Sequence, residues 1–145
     1  MEESKIITIE VKDFDEYTGP RYVTQGDSSG EEFYHRVLNE NFAEAFKTDS
    51  ILIVDLDNTA GFLSSFLDEA FGSLVYDFGA EEVRKRLKIV SQEEPDWVEM
   101  IMNDVVVDWE KRRKSCTQPT ITVEHDAWFR LKKGKIIKHK WIEHI

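Results

Sequence analysis

Ile51-Leu52-Ile53-Val54-Asp55-Leu56-Asp57-Asn58-Thr59 and the following Gly61-Phe62-Leu63-Ser64-Ser65-Phe66-Leu67-Asp68-Glu69-Ala70-Phe71-Gly72-Ser73-Leu74-Val75 decide the fold. The uninterrupted β-branched and leucine run Ile51–Val54 predicts a strand covered on both faces, as in a parallel sheet. Beyond the polar turn, Phe66, Leu67, Ala70, Phe71, Leu74, Val75 and Phe78 recur with helical period, which puts them on one stripe of an amphipathic helix. Ser65 followed by Asp68 has capping-box spacing and is expected to fix the start of that helix. Gly72 costs a helix interior about 1 kcal/mol relative to alanine, which points to close helix–strand packing there.

Upstream, Ile7, Ile9 and Val11 alternate as in a half-buried strand, and Arg21-Tyr22-Val23-Thr24 after the Gly19-Pro20 turn predicts its hairpin partner. Ser28 and Ser29 precede Glu31 and Glu32 at capping spacing, opening a first helix with Phe33, Val37, Leu38, Phe42, Ala45 and Phe46 on its buried face through about Lys47. Downstream, Leu87–Val90 forms a further short strand. Pro95 then starts a third helix, with Trp97, Val98, Ile101, Val105 and Trp109 on its apolar side and both tryptophans in the core. The order ββαβαβα implies an α/β domain with a largely parallel or mixed sheet and flanking helices. Beyond Ser115, Thr120–His125, Ala127–Leu131 and Ile136–Ile142 predict strands, the last two joined through Lys132-Lys133-Gly134-Lys135 as a β-hairpin.

The chain of 145 residues suits one domain, and 41% hydrophobic residues with only three prolines and seven glycines mark it as globular. Charge is uneven: residues 1–110 carry 26 acidic and 9 basic side chains, residues 111–145 only 3 acidic and 10 basic. An acidic body repels phosphate, so nucleic acid is not an expected partner, and the basic segment 111–145 is the only candidate region for it. That segment also suits a protected sheet edge, or a basic β extension packed on the acidic domain of residues 1–110. No apolar run is long enough to span a bilayer, and no membrane association is expected. The acidic N-terminus lacks a signal-peptide pattern, and the lone Cys116 cannot form an internal disulfide; the cytoplasm is the expected location. His35, His125, His139 and His144 lack zinc-site spacing, so no metal and no cofactor is expected; His139 falls near His125 if their strands pair.

Two chemistries compete for the central segment. Asp55, Asp57 and Thr59 after an apolar strand look like the opening motif of haloacid dehalogenase-type phosphatases. That likeness implies a small Mg²⁺-dependent phosphohydrolase with Asp55 as nucleophile and Asp57 as acid/base. Ser91 could supply the second motif of such an enzyme, but Asp104 and Asp108 lie in a helical pattern instead of at a strand end, and without further motifs Asp55 and Asp57 need only end a strand and cap a turn. Residues 28–90, by contrast, resemble the STAS-like family of bacteria and their phages, relatives of anti-sigma-factor antagonists. The likeness rests on Ser29-Gly30-Glu31-Glu32-Phe33, on Ile51–Asp55 and on the run Ser64-Ser65-Phe66-Leu67-Asp68-Glu69-Ala70-Phe71-Gly72, and with the third helix it covers about residues 5–110.

That resemblance implies a mixed sheet with helices and a functional loop at the start of the second helix, in a non-enzymatic regulatory module that binds another protein. A histidine-kinase-type ATPase is the natural partner class. In the antagonists the loop reads Asp-Ser-Ser-Gly and its first serine is phosphorylated; Ser64 holds that place here, with Ser65 next, but Leu63 and Phe66 replace the aspartate and the glycine. The expected partner-binding residues are therefore Ser64, Ser65, Phe66, Asp68 and Glu69. A phage-encoded inhibitor using the acidic fold as a decoy fits the same sequence.

Overall fold

The structure, a computed structural model, describes residues 5–142. Strand β1 (Lys5–Glu10) leads into a single helical turn, α1 (Val11–Phe14), and a long loop containing a 3₁₀ turn at Val23–Gln25. One long helix follows in three parts: α2 (Gly30–Phe33), a π-helical stretch (Tyr34–Leu38) and α3 (Asn39–Lys47). Then come β2 (Ser50–Asp55), α4 (Ser64–Phe78), α5 (Ala80–Arg86) and β3 (Leu87–Val90). A last long helix, α6 (Asp96–Glu99), a π-helical stretch (Met100–Val105) and α7 (Val106–Lys114), precedes the hairpin β4 (Trp128–Lys132) and β5 (Lys135–His139).

The main sheet is parallel throughout, in the order β1-β2-β3, with β2 in the centre. The expected hairpin partner at Arg21–Thr24 is absent: β1 pairs with β2 instead, and the 15–29 loop is tied to itself by Gly19 N–H donating to Ser28 O at 2.8 Å. Four residues of β propensity were outvoted by a loop with its own turn hydrogen bonds. The register aligns Ile7 with Leu52 and Leu87, and Ile9 with Val54 and Ile89, so these residues share the face under the helices. The opposite face is only partly covered: Ile51 and Ile53 are half-buried, and Ile6 is 62% exposed. The expectation that β2 is covered on both faces therefore fails, because the helices of both crossovers lie on one side.

Ser29 caps α2 as expected, its hydroxyl accepting from the Glu32 N–H at 3.0 Å. The core joins Phe33, Leu38 and Phe42 to Phe66, Phe71, Leu74 and Trp109. Trp109 is fully buried, whereas Trp97 is only half-buried. Gly72 faces a helix and not a strand: a Cβ there would overlap the Trp109 indole of α7. α4 ends at Gly79, whose φ of 87° is left-handed backbone, and its N–H closes on Val75 O at 2.7 Å.

The basic extension packs on the domain. Its hairpin turns through Lys133 and Gly134, φ 50° and 78°, the pair of positive values that a two-residue type I′ loop needs. Residues 120–125 form no strand; Thr122 and His125 instead hold the buried Glu31. The Glu31 carboxylate accepts from Thr122 Oγ1 at 2.5 Å, Thr122 N at 3.1 Å, His125 Nε2 at 2.6 Å and Val23 N at 3.1 Å. Asn39 in the helix substitutes for a strand edge: Oδ1 accepts from Phe129 N and Nδ2 donates to Phe129 O, both at 2.9 Å. Asp77 accepts from Arg130 Nε at 2.7 Å and from the Tyr34 hydroxyl. Among the described residues, no helix is long and apolar enough to cross a membrane.

Candidate functional site

The β2 strand ends where its polar turn begins. Leu56 N–H donates to Val90 O at 2.8 Å and continues the β2–β3 pairing by one residue. Asp55 Oδ1 then accepts from Asp57 N at 2.8 Å, a side-chain turn that needs no catalytic purpose. Asp57 reaches across to the loop after β3: Oδ2 accepts from Gln92 N at 3.0 Å and Oδ1 from Glu93 N at 2.9 Å. Glu93 returns the contact by accepting from Asn58 N at 2.6 Å. On its other side the loop is held by Ala60 N–H donating to Glu16 O and Thr18 Oγ1 donating to Gly61 O, each at 2.8 Å. A hollow of about 190 Å³ opens here between Thr59, Phe62, Ser91 and Trp97. It lies beyond the carboxyl ends of two parallel strands, where open α/β sheets commonly receive ligands.

The same loop delivers the start of α4. Leu63 is the N-cap, in extended backbone and 56% exposed, and no side chain caps the helix. Ser64 and Ser65 are its first two helical residues, so the expected cap by Ser65 is not made; the helix begins two residues earlier than a capping box would place it. Ser64 is exposed and Ser65 half-buried. Phe66 is fully buried, its ring 5.7 Å from those of Phe33 and Phe62, which withdraws it from any partner. Glu69 is likewise buried, at 2% exposure. Of the five expected contact residues, the fold thus presents Ser64, part of Ser65 and the outer edge of Asp68.

Arg21 escaped the sequence reading because its partners lie more than forty residues away. Its Nη1 donates to Asp68 Oδ2 at 2.6 Å and Glu69 Oε1 at 3.2 Å, while Asp68 Oδ1 accepts from Trp109 Nε1 at 3.0 Å. Burial pushes the Glu69 carboxyl up to about 7, against the pull of Arg21. Beside Ser64, a second hollow of about 240 Å³ is walled by Arg21, Asp68, Met100, Asp104 and Asp108. Its charge is one shared cation against several carboxylates.

Residues 29–97 match a family model described as a STAS-like domain of unknown function. The matched segment is similar to STAS-like domains. No curated protein and no solved structure is significantly similar to the chain. The matched segment contains β2, α4, β3 and the whole Asp55–Ser64 loop, whereas Arg21, Asp104, Asp108 and the basic extension lie outside the match. The histidines fall elsewhere: His125 stacks on His35 with ring centroids 3.8 Å apart, not on His139, and burial lowers His35 to about 3. His139 lies against Trp141, and His144 is outside the described residues.

Proposed function

We propose that the protein is a non-enzymatic regulatory module of the STAS-like type, which binds another protein through the loop 57–64 and the first turn of α4. The observation that carries the proposal is the pair Leu63–Ser64: a large apolar side chain more than half exposed, next to an exposed hydroxyl, at the mouth of a helix whose other residues are almost all buried. Covering that leucine would give a partner apolar surface to bury beside a polar group that can fix its orientation. The partner class is a histidine-kinase-type ATPase, on the family resemblance.

Ser64 is the switch in this proposal. A phosphate there brings a charge of about −1.5 to −2. The free N–H groups of the helix start and Arg21 attract it, and Asp68, Asp104 and Asp108 repel it. The donors at the helix start hold the phosphate without unfolding the helix, while an already acidic surface gains further negative charge, so phosphorylation releases the partner. The engagement of both Asp57 oxygens by backbone N–H groups supports this proposal over a phosphohydrolase, whose acid/base must be free to exchange a proton.

The test is partner capture from a native host, followed by affinity measurements on wild type, Ser64→Ala and Ser64→Glu, with circular dichroism as the fold control. Ser64→Glu is expected to bind at least several-fold more weakly with an unchanged spectrum. Equal binding by all three proteins refutes the switch. Mg²⁺-dependent turnover of a phosphate ester that disappears in Asp55→Asn, with the fold intact, refutes the non-enzymatic class.

A further inference from the structure

The basic extension meets the main body at a pair of stacked imidazoles. His35 lies on the π-helical stretch Tyr34–Leu38 and His125 in the segment before β4; their ring centroids are 3.8 Å apart and their planes 6° from parallel. Trp128 on β4 stands nearly at right angles to His35, with centroids 4.6 Å apart, so two side chains of the extension pack on this ring. His125 is anchored through Nε2, bonded to Glu31 Oε2 at 2.6 Å. His35 has no such anchor: its Nδ1 is buried and bonds to nothing among the described residues.

The two rings therefore answer a proton differently. A protonated imidazole carries an N–H on both nitrogens. On His125 the added charge lies beside the Glu31 carboxylate. On His35 it forces an N–H at Nδ1 with no acceptor, and it sets a cation face to face with His125, with one carboxylate to share between two rings. Undocking removes the cover of His125 and Trp128 and gives the ring back to water. The other charged groups nearby do not relieve the docked state. Arg36 beside His35, and Glu124 and Asp126 beside His125, are exposed, and Tyr34 has its hydroxyl on Asp77. Burial first, then the charge of His125, hold His35 at about 3 in place of an ordinary 6.5, against the weaker pull of Glu31. Asp77 is raised by burial to about 6 and titrates with the opposite sign, so a test must keep it constant.

We propose that the His35–His125 stack is an acid-sensitive latch, which holds the extension on the body while His35 is neutral and loosens it as His35 takes up a proton. The latch is independent of the function proposed for the Ser64 loop. Because the docked ring has the lower pKa, its contribution to docking is whole above about pH 6.5 and is lost as pH falls towards 3.

Docking is read on the full chain by hydrogen exchange of two amides that bond across the seam, Thr122 N–H to Glu31 and Phe129 N–H to Asn39. Between about pH 7.5 and about pH 5.5 their protection is expected to fall about tenfold further in wild type than in His35→Phe. That variant retains an aromatic ring, Glu31, His125 and Asp77 but has no proton to gain. Parallel pH profiles of the two proteins overturn the proposal. The ring of His35 gives a second reading that needs no variant: its resonances in the wild-type chain are expected to titrate well below the ordinary 6.5. A His35 ring that titrates at about 6.5 while both amides stay protected overturns the proposal as well.

Discussion

Glu31→Gln is the substitution that most directly tests how the basic extension is held. The Glu31 side chain is 2% exposed, and every group facing its oxygens is a donor: Val23 N, Thr122 N, Thr122 Oγ1 and His125 Nε2. An amide replaces one acceptor oxygen by an NH₂. Whichever way it turns, that NH₂ meets a backbone N–H, that of Val23 or that of Thr122, and leaves it unpaired. The orphaned donor costs about 1–3 kcal/mol, and the remaining bonds lose their charge assistance. A second route gives a similar size. Desolvation raises the Glu31 pKa, but the hydrogen bonds from His125, Thr122 and Val23 outweigh it and hold the carboxyl at about 2, against an ordinary 4.5. That difference amounts to about 3 kcal/mol favouring the ionised, folded form. Because the folded pKa lies below the unfolded one, this stability is fully present above about pH 4.5 and is lost as pH falls towards 2. The expected result is a melting temperature about 5–10 °C below wild type at neutral pH. The gap should shrink on acidification, with faster proteolysis of residues 115–127. A variant melting with wild type at neutral pH, with the same acid slope, refutes the claim that Glu31 anchors the extension.

Gly72→Ala adds a methyl group where the Trp109 ring already stands; overpacking of about 1–3 kcal/mol is expected to exceed the helix-propensity gain of about 1 kcal/mol. A lowered melting point with altered tryptophan fluorescence supports this, and an unchanged one shows that α4 and α7 can separate freely. Glu69 has a folded pKa raised by burial to about 7 against an ordinary 4.5, so stability falls as pH rises between those values, and Glu69→Gln is expected to flatten the curve and gain on wild type at alkaline pH. Thermal melts between about pH 5 and 8 check it, and parallel curves for the two proteins count against it. Truncation after Arg113 removes Phe129 and Arg130 from Asn39 and Asp77 and uncovers the site of Trp128. Aggregation or loss of a cooperative melt is expected, and a stable monomer on sedimentation would show that the extension is only a tethered arm.

Local, periodic features were legible in the sequence. The stripe from Phe66 to Phe78, the capping hydroxyl of Ser29 and the Lys133-Gly134 turn each express themselves within a few residues, and the structure contains all three. What misled were short segments whose partners are distant. Arg21–Thr24 has β propensity, but β1 finds a better edge in β2, and Arg21 is drawn to Asp68 and Glu69 instead. Ser65 and Asp68 have capping spacing, yet Asp68 serves Arg21 and Trp109, so the box never closes. Gly72 was correctly marked as a packing position, but no one-dimensional pattern says whether a helix or a strand will press on it. At the candidate site the sequence placed Ser64 at the helix start, where the structure has it, whereas Phe66 and Glu69, expected to face a partner, are turned inward by the helix, which family likeness to a loop does not encode.

The polar seam explains why the extension has one position on this body and not many. Apolar strands such as β4 and β5 would satisfy their hydrophobic requirement on several surfaces, since burial is not directional. Glu31, Asn39 and Asp77 are. Each is almost wholly buried, each lies on a helix of the main body, and each faces a group that only one docking of the 120–130 segment supplies: the Thr122 and His125 donors, both backbone groups of Phe129, and the Arg130 guanidinium. Displacing the 120–130 segment would cost all three their bonds to it, leaving Glu31 with the Val23 N–H and Asp77 and Asn39 with the Tyr34 hydroxyl, a cost of several kcal/mol in a low-dielectric interior. Arg130 adds to the seam through its ring contacts, its guanidinium lying 5.1 Å from the centroid of Tyr76 on α4 and 4.9 Å from that of Trp141 in the extension, so the side chain that pairs with Asp77 also ties α4 to the far end of the extension.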